Sequence, residues 1–133
     1  SVHQLLKQAS RGDVDMEWES YDIVYCAGLF DYLSQKVCKR LVELFTKLLR
    51  PHGIVITTNV ASTNPRIGWM EYVVEWNLVY RNDWEMLDLI PLDGTVLQTD
   101  LKRDATGVNL FLEIRKVPME PFINPASLAG QIT

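Results

Sequence analysis

Hydrophobic and polar positions near the middle of the chain predict a strand, a helix and a second strand. Residues 21–27 are a nearly continuous apolar run, the pattern of a strand buried on both faces. After Ser34, an N-cap residue, apolar side chains recur at helical spacing as Val37, Leu41, Leu44, Phe45 and Leu48. Pro51 and Gly53 end this helix, and residues 54–58 read as a second buried strand. This order predicts two parallel strands joined by a right-handed helical connection.

Further helices are predicted before and after this unit in the sequence. Residues 2–11 place their apolar side chains on one side of a short helix that Ser1 can cap. Asn64-Pro65 is a helix-start signal, and the helix it opens has an aromatic-rich face: Trp69, Tyr72, Val73, Trp76, Val79 and Tyr80. A capping box, Asn82 with Glu85, predicts another helix over residues 83–90.

The last part of the chain predicts a hairpin and a tail. Residues 95–101 and 108–117 are rich in strand formers and are separated by a turn that contains Gly107. This pattern is typical of an antiparallel hairpin at a sheet edge. Residues 118–133 contain several prolines and little periodicity, so we expect a surface tail there.

Composition narrows the classes of partner and location. With 133 residues, 47% of them hydrophobic and 23% charged, the chain has the composition of one globular domain. A net charge of −4 without a basic cluster argues against a nucleic-acid partner. No apolar run reaches the roughly 20 residues of a membrane helix and no signal pattern opens the chain, which predicts no membrane span and a cytoplasmic protein. Cys26 and Cys38 suit buried positions, and no group of residues has metal-ligand spacing.

Ligands of open α/β sheets bind outside the carboxyl ends of the strands. Residues 26–32 and 58–63 are therefore the candidates for a ligand-binding site. Gly28 fits a close approach of backbone to ligand, or it is simply a turn glycine. Phe30 could stack on an aromatic ring, or it is a core aromatic. Asp31 could meet a cationic ligand as the candidate catalytic residue, or it is a solvated acid at a helix start.

The segments Tyr21-Asp-Ile-Val-Tyr-Cys-Ala-Gly-Leu-Phe-Asp-Tyr-Leu33 and Leu49-Arg-Pro-His-Gly-Ile-Val-Ile-Thr57 resemble the C-terminal half of a class I S-adenosylmethionine-dependent methyltransferase. The resemblance implies a partial Rossmann-like α/β fold over residues 1–117, with helices on both faces of the sheet. In this fold residues 108–117 lie antiparallel between 54–58 and 95–101. It also implies that the cofactor is S-adenosylmethionine. Ser1 and Val2 would contact the adenine, and the residues after the first strand would line the cofactor: Cys26, Ala27, Gly28, Leu29 and Phe30.

The same resemblance makes residues 61–82 a helical insertion over the acceptor site. Its pattern is similar to a bacterial group associated with fatty-acid methyl-ester synthesis. An aromatic face can pack against an acyl chain, and an arginine can bind a carboxylate with two hydrogen bonds. The alternatives are that the aromatic residues belong to the ordinary hydrophobic core and that the arginines lie on the surface. The predicted acceptor is a small molecule or a fatty-acyl carboxylate or hydroxyl, methylated on oxygen. The predicted substrate-binding residues are Tyr32, Asn59, Arg66, Trp69, Met70, Tyr72 and Arg81.

The Gly-x-Gly-x-Gly loop of that family occurs nowhere in the sequence. We therefore expect a fragment of a longer methyltransferase, inactive by itself, whose missing N-terminal half or a second copy pairs with the edge of the first strand. Two alternatives remain open: a non-catalytic interaction or dimerisation module, and another α/β enzyme that uses a dinucleotide.

Overall fold

The structure is a computed structural model, which describes residues 2–12, 17–62 and 78–118. Its elements follow the predicted order of helix, strand, helix, strand, short helix and hairpin. The helices are α1 (Val2–Arg11), α2 (Gln35–Leu48) and α3 (Asp83–Leu87), with a 3-10 turn at Phe30–Tyr32. The strands are β1 (Tyr21–Cys26), β2 (Leu49–Val60), β3 (Val96–Arg103) and β4 (Asn109–Lys116).

The four strands form a sheet in the order β1-β2-β4-β3. β1 runs parallel to β2, with Val24 opposite Val55 and Cys26 opposite Thr57. β4 lies antiparallel between β2 and β3. The predicted insertion of the last strand between the other two is therefore confirmed, and the fold class is a partial Rossmann-like α/β fold.

One face of the sheet carries the hydrophobic core. Alternate residues of β2 and β4 point to this face, and Val55, Leu112 and Ile114 are completely buried there. Helix α2 contributes Leu41 and Val42 to the same cluster, and α3 contributes Met86. Leu89, in the turn after α3, belongs to the cluster as well. The core therefore lies between the sheet and these two helices.

The other face of the sheet is open at β1. Ile23 and Tyr25 lie opposite Ile54 and Ile56 of β2, and their side chains are 61% and 60% exposed. Within the described residues β1 pairs only with β2, so it is an edge strand. The prediction that residues 21–27 are buried on both faces is wrong for this chain, because nothing described here covers the outer face of β1.

The caps predicted from the sequence are present. Ser34 Oγ accepts a hydrogen bond from Val37 N–H at 3.3 Å, which fixes the start of α2. Asn82 and Glu85 form the reciprocal capping box of α3. The latter helix ends at Leu87, three residues before the predicted end, and continues as turns.

The first residues of β2, which directly follow α2, contain a tight turn. His52 has φ +65°, and a Cβ on Gly53 would come within 2.8 Å of the Arg50 carbonyl oxygen. The turn breaks the β1–β2 register between Tyr21 and Ile23. β2 is consequently longer than predicted at both ends, since it begins directly after α2 and extends to Val60. Most of the predicted aromatic helix and of the tail lies outside the described residues, and Val79 and Tyr80, which are described, are not helical.

Candidate functional site

The candidate site lies where β1 and β2 end on the same side of the sheet. β1 ends at Cys26, and the chain turns through Ala27 and Gly28, both exposed, before the 3-10 turn. Gly28 has φ +77°, and an added Cβ would meet no atom within 4 Å. Its N–H donates to Thr58 Oγ1 at 3.1 Å, which ties the turn to β2. The positive φ explains the glycine as a turn residue, and the open space beside it leaves room for a ligand.

Phe30 does not face this open space. Its side chain has no exposed surface and stacks on Phe45 of α2, with ring centroids 6.5 Å apart. The sequence left two alternatives for this residue, and the structure agrees with the core aromatic. Stacking on an adenine ring would require the side chain to leave the core.

Asp31 is buried, with a side chain 7% exposed, so the alternative of a solvated acid is wrong. Its Oδ1 accepts a hydrogen bond from Val60 N–H at 2.7 Å. Burial raises the pKa of Asp31, while the hydrogen bond from Val60 and the positive charge of Arg81 oppose the rise. A catalytic role for this carboxyl group stays a prediction.

Arg81 is also completely buried, just before α3. Its guanidinium donates to the carbonyl oxygens of Phe30 and Leu33, both at 2.7 Å. It also donates to Gln35 Oε1 at 2.7 Å and to Asn59 Oδ1. A fork onto a substrate carboxylate would require Arg81 to leave these partners, so the substrate contact stays a prediction without support from its position.

The other predicted substrate residues lie in different environments. Tyr32 is 64% exposed beside the site. Asn59 is completely buried, and its Nδ2 donates to the Val79 carbonyl oxygen at 2.8 Å. Of the predicted cofactor residues, Leu29 and Val2 are half-buried against the core. The remaining predicted contacts lie outside the described residues: Ser1, Arg66, Trp69, Met70 and Tyr72.

Both thiols of the chain lie near this site and are free. Burial raises the pKa of Cys38 to about 11. Burial also raises the pKa of Cys26, opposed by a hydrogen bond from Leu29 and reinforced by the charge of Asp31. Neither group is held as the thiolate that nucleophilic chemistry needs.

Sequence reasoning missed Gln35, and it gave no role to Thr58 although it nominated residues 58–63. Gln35 accepts from Arg81 and donates to the Glu85 carbonyl oxygen at 2.7 Å, so it joins α2 to α3. The signal for Thr58 was its place at a strand end within the nominated segment. No local signal identifies Gln35, because its partners are distant in the sequence.

A groove of about 620 Å³ lies elsewhere, between α1 and α2, and is lined by Leu6, Trp18, Val37 and Leu44 among others. None of its lining residues lies in β1, in β2 or in the turn after β1. The candidate site is therefore an open edge formed by two strands and a turn.

Comparison with known proteins identifies the fold. No family model matches the chain. A protein of Rickettsia prowazekii (strain Madrid E), uncharacterized protein RP028, is 33% identical over 64 residues, which are 48% of this chain and 24% of that protein. The structure of a possible exported protein from Bordetella parapertussis has a TM-score of 0.64 at 16% identity, with 87% of this chain and 48% of that chain covered.

Two further solved structures carry descriptions of activity. A SAM-dependent methyltransferase from Methanosarcina mazei has a TM-score of 0.54 at 11% identity, covering 80% of this chain and 64% of that one. A putative O-methyltransferase from Nostoc punctiforme has a TM-score of 0.55 at 15% identity, covering 74% and 32%. The chain thus has part of the class I methyltransferase fold, and it spans about half or less of the first relatives' length.

Among the described residues, none of the helices has the length and apolar character that crossing a bilayer requires.

Proposed function

We propose that the chain is the C-terminal part of an S-adenosylmethionine-dependent methyltransferase that methylates an oxygen of a small molecule or of a fatty-acyl carboxylate or hydroxyl. The observation that carries the proposal is the sheet order β1-β2-β4-β3, with an exposed Gly28 turn after the strand that lies at the sheet edge. Methyltransferases among the structural neighbours support it. A cytoplasmic location stays a prediction from the sequence.

The exposed turn after β1 suits one wall of the cofactor site. Cys26, Ala27, Gly28 and Leu29 are the residues that would lie along the cofactor, and the space beside Gly28 agrees with a bound group there. Bound S-adenosylmethionine would supply an electrophilic methyl group on a sulfonium. The protein's own contribution would be the alignment of acceptor and cofactor, which accounts for much of the acceleration in such reactions.

The chemistry of the methyl acceptor decides whether Asp31 would have to act as a general base. A carboxylate acceptor is already ionised at neutral pH and needs no general base. A hydroxyl acceptor would benefit from a base, and the raised pKa of Asp31 moves it toward the range in which bases work best. Its Oδ1 accepts from Val60 N–H, so Oδ2 would be the oxygen that takes a proton.

The partner of the β1 edge would be the rest of the domain. Within the described part of the chain, one side of β1 has no partner strand, and the side chains of Ile23 and Tyr25 are exposed. Such an edge favours pairing with another strand. A homodimer through the same edge is the second candidate, and the exposed edge is also what favours a non-catalytic interaction module.

The test uses the gene region upstream of Ser1 and a matched pair of glycine variants. The upstream region should encode a strand followed by a glycine-rich loop, and the longer protein should bind S-adenosylmethionine in a calorimetric titration. Gly28→Ala and Gly107→Ala impose a side chain at similar φ values, +77° and +70°, with no atom within 4 Å in either case.

Only Gly28→Ala should weaken cofactor binding, because Gly107 lies in the β3–β4 turn. A longer protein without measurable binding would overturn the proposed function. Equal loss of affinity in both variants would overturn the placement of the cofactor beside Gly28.

A further inference from the structure

Asp31 and Arg81 are the buried charged residues among the parts of the chain that the structure describes. A charge taken out of water is costly unless hydrogen bonds compensate it. The two side chains are not within ion-pair distance of each other, and each is instead satisfied by neighbours on other elements.

The guanidinium of Arg81 joins three segments. Two of its nitrogens donate to the carbonyl oxygens of Phe30 and Leu33, which bracket the 3-10 turn after β1. The third nitrogen donates to Gln35 at the start of α2. Asn59, near the end of β2, accepts a further bond. All three guanidinium nitrogens of Arg81 are thus engaged, a set of bonds that the single ammonium group of a lysine cannot reproduce.

The backbone around Arg81 is docked on the same strand end. Arg81 N–H donates to the Val60 carbonyl oxygen at 3.1 Å, and Ser62 N–H donates to the Arg81 carbonyl oxygen at 2.9 Å. Val79 N–H donates to the Asp31 carbonyl oxygen at 2.7 Å. The segment before α3 is thereby joined to β2 and to the turn after β1 by backbone and side chain together.

The exposed Ala27-Gly28 turn depends on this anchorage. Its own connection to β2 is the bond between Gly28 N–H and Thr58 Oγ1. On its far side the chain enters the 3-10 turn, whose carbonyl oxygens Arg81 holds. Releasing these oxygens would loosen the loop of residues 27–33, which would then keep its bonds from Val60 and Val79 to Asp31 and from Gly28 to Thr58.

We propose that Arg81 is a positioning residue for the cofactor wall: it holds the loop of residues 27–33 in one conformation from within the protein. The expected effect on cofactor affinity rests on the proposed function. The ordering of the loop does not, because it can be measured without a cofactor. A loop that is ordered beforehand loses less conformational entropy when a ligand binds.

Amide hydrogen exchange of the 133-residue chain and cofactor titration of the longer protein test this together. Arg81→Lys keeps the charge and removes the fork. Leu112→Ala, in the core of β4, serves as a variant that destabilises the fold through a residue outside the loop. Arg50→Gln is the surface control, since Arg50 is exposed and lies 3.7 Å from Asp22. Should Arg81→Lys not fold, Gln35→Ala removes one acceptor only.

We expect Arg81→Lys to accelerate exchange at residues 28–33 by about tenfold more than elsewhere, the factor for losing one charge-assisted hydrogen bond. Its cofactor dissociation constant should rise by a similar factor. Leu112→Ala should accelerate exchange evenly, and Arg50→Gln should change neither quantity.

Uniform acceleration in Arg81→Lys, or loop exchange like that of the original chain, would overturn the positioning role. Selective loop exchange with unchanged cofactor affinity would overturn it as well. If the original longer protein binds no cofactor, the proposed function fails, and the exchange result still decides whether Arg81 holds the loop.

Discussion

The two faces of the sheet differ in how far their apolar side chains are buried. On one face Val55, Leu112 and Ile114 have no exposed surface and pack against the helices. On the other face Ile23 and Tyr25 of β1 are 61% and 60% exposed although their residue types are those of a core strand. Among the described residues, helices therefore cover one face of the sheet, and the apolar side chains of β1 on the other face are left exposed.

The largest expected effect comes from replacing one isoleucine by alanine on each face of the sheet and comparing the two losses of stability. Ile114→Ala should lower the free energy of unfolding by about 2–5 kcal/mol, because it leaves a cavity in the covered face. Ile23→Ala should lower it by less than about 1 kcal/mol, since water already contacts most of that side chain. Urea denaturation of both variants measures the difference. Equal losses would show that the face bearing Ile23 is covered in solution.

An intermediate effect is expected at the turn that leads into β2. Gly53→Ala should destabilise the chain by about 1–3 kcal/mol, since the new Cβ would press on the Arg50 carbonyl oxygen. His52→Gly should stabilise it by about 0.5–1 kcal/mol, because φ is +65° at that residue and glycine adopts it without strain. Thermal unfolding of the two variants checks both signs. Stabilisation by Gly53→Ala would contradict this account of the turn.

Local patterns predicted most of the elements, and contacts between distant segments decided the rest. The caps at Ser34 and at Asn82 are encoded within four residues and are present as predicted. The burial of Phe30 and Arg81 depends on α2 and on the end of β2, which no local pattern reveals. The exposure of β1 follows from what lies beside it, and the apolar pattern of that strand gives no information on whether the neighbour belongs to this chain.

Two carboxyl groups should show opposite dependence on pH. Burial raises the pKa of Asp31 in the folded state, so its favourable contribution is present below the unfolded pKa and is lost as pH rises through the folded pKa. Desolvation also raises the pKa of Asp104, but hydrogen bonds from Asn109, Thr106 and Val108 outweigh it and lower the pKa overall. The stability contributed by Asp104 is therefore present above its unfolded pKa and is lost as pH falls through its folded pKa.

The matched substitutions Asp31→Asn and Asp104→Asn make this contrast measurable. Between about pH 4 and pH 7, the stability of Asp31→Asn relative to the original chain should increase with pH. At the lower end of that range and below it, the relative stability of Asp104→Asn should increase as pH falls. Denaturant titrations at several pH values provide the comparison, and the same slope for both variants would contradict the burial of Asp31.

The central claim is that β1 is the open edge of a half-completed sheet, and hydrogen exchange along β1 tests it most directly. In the 133-residue chain at a concentration where light scattering gives a monomer, amides of residues 22–26 that point away from β2 should exchange as in unprotected peptide. Those bonded to β2 should be protected, because the β1–β2 pairing is parallel and regular from Ile23 to Cys26. Slow exchange at every amide of residues 22–26 in the monomer would mean that the chain covers this edge itself, and the half-sheet account would then be wrong.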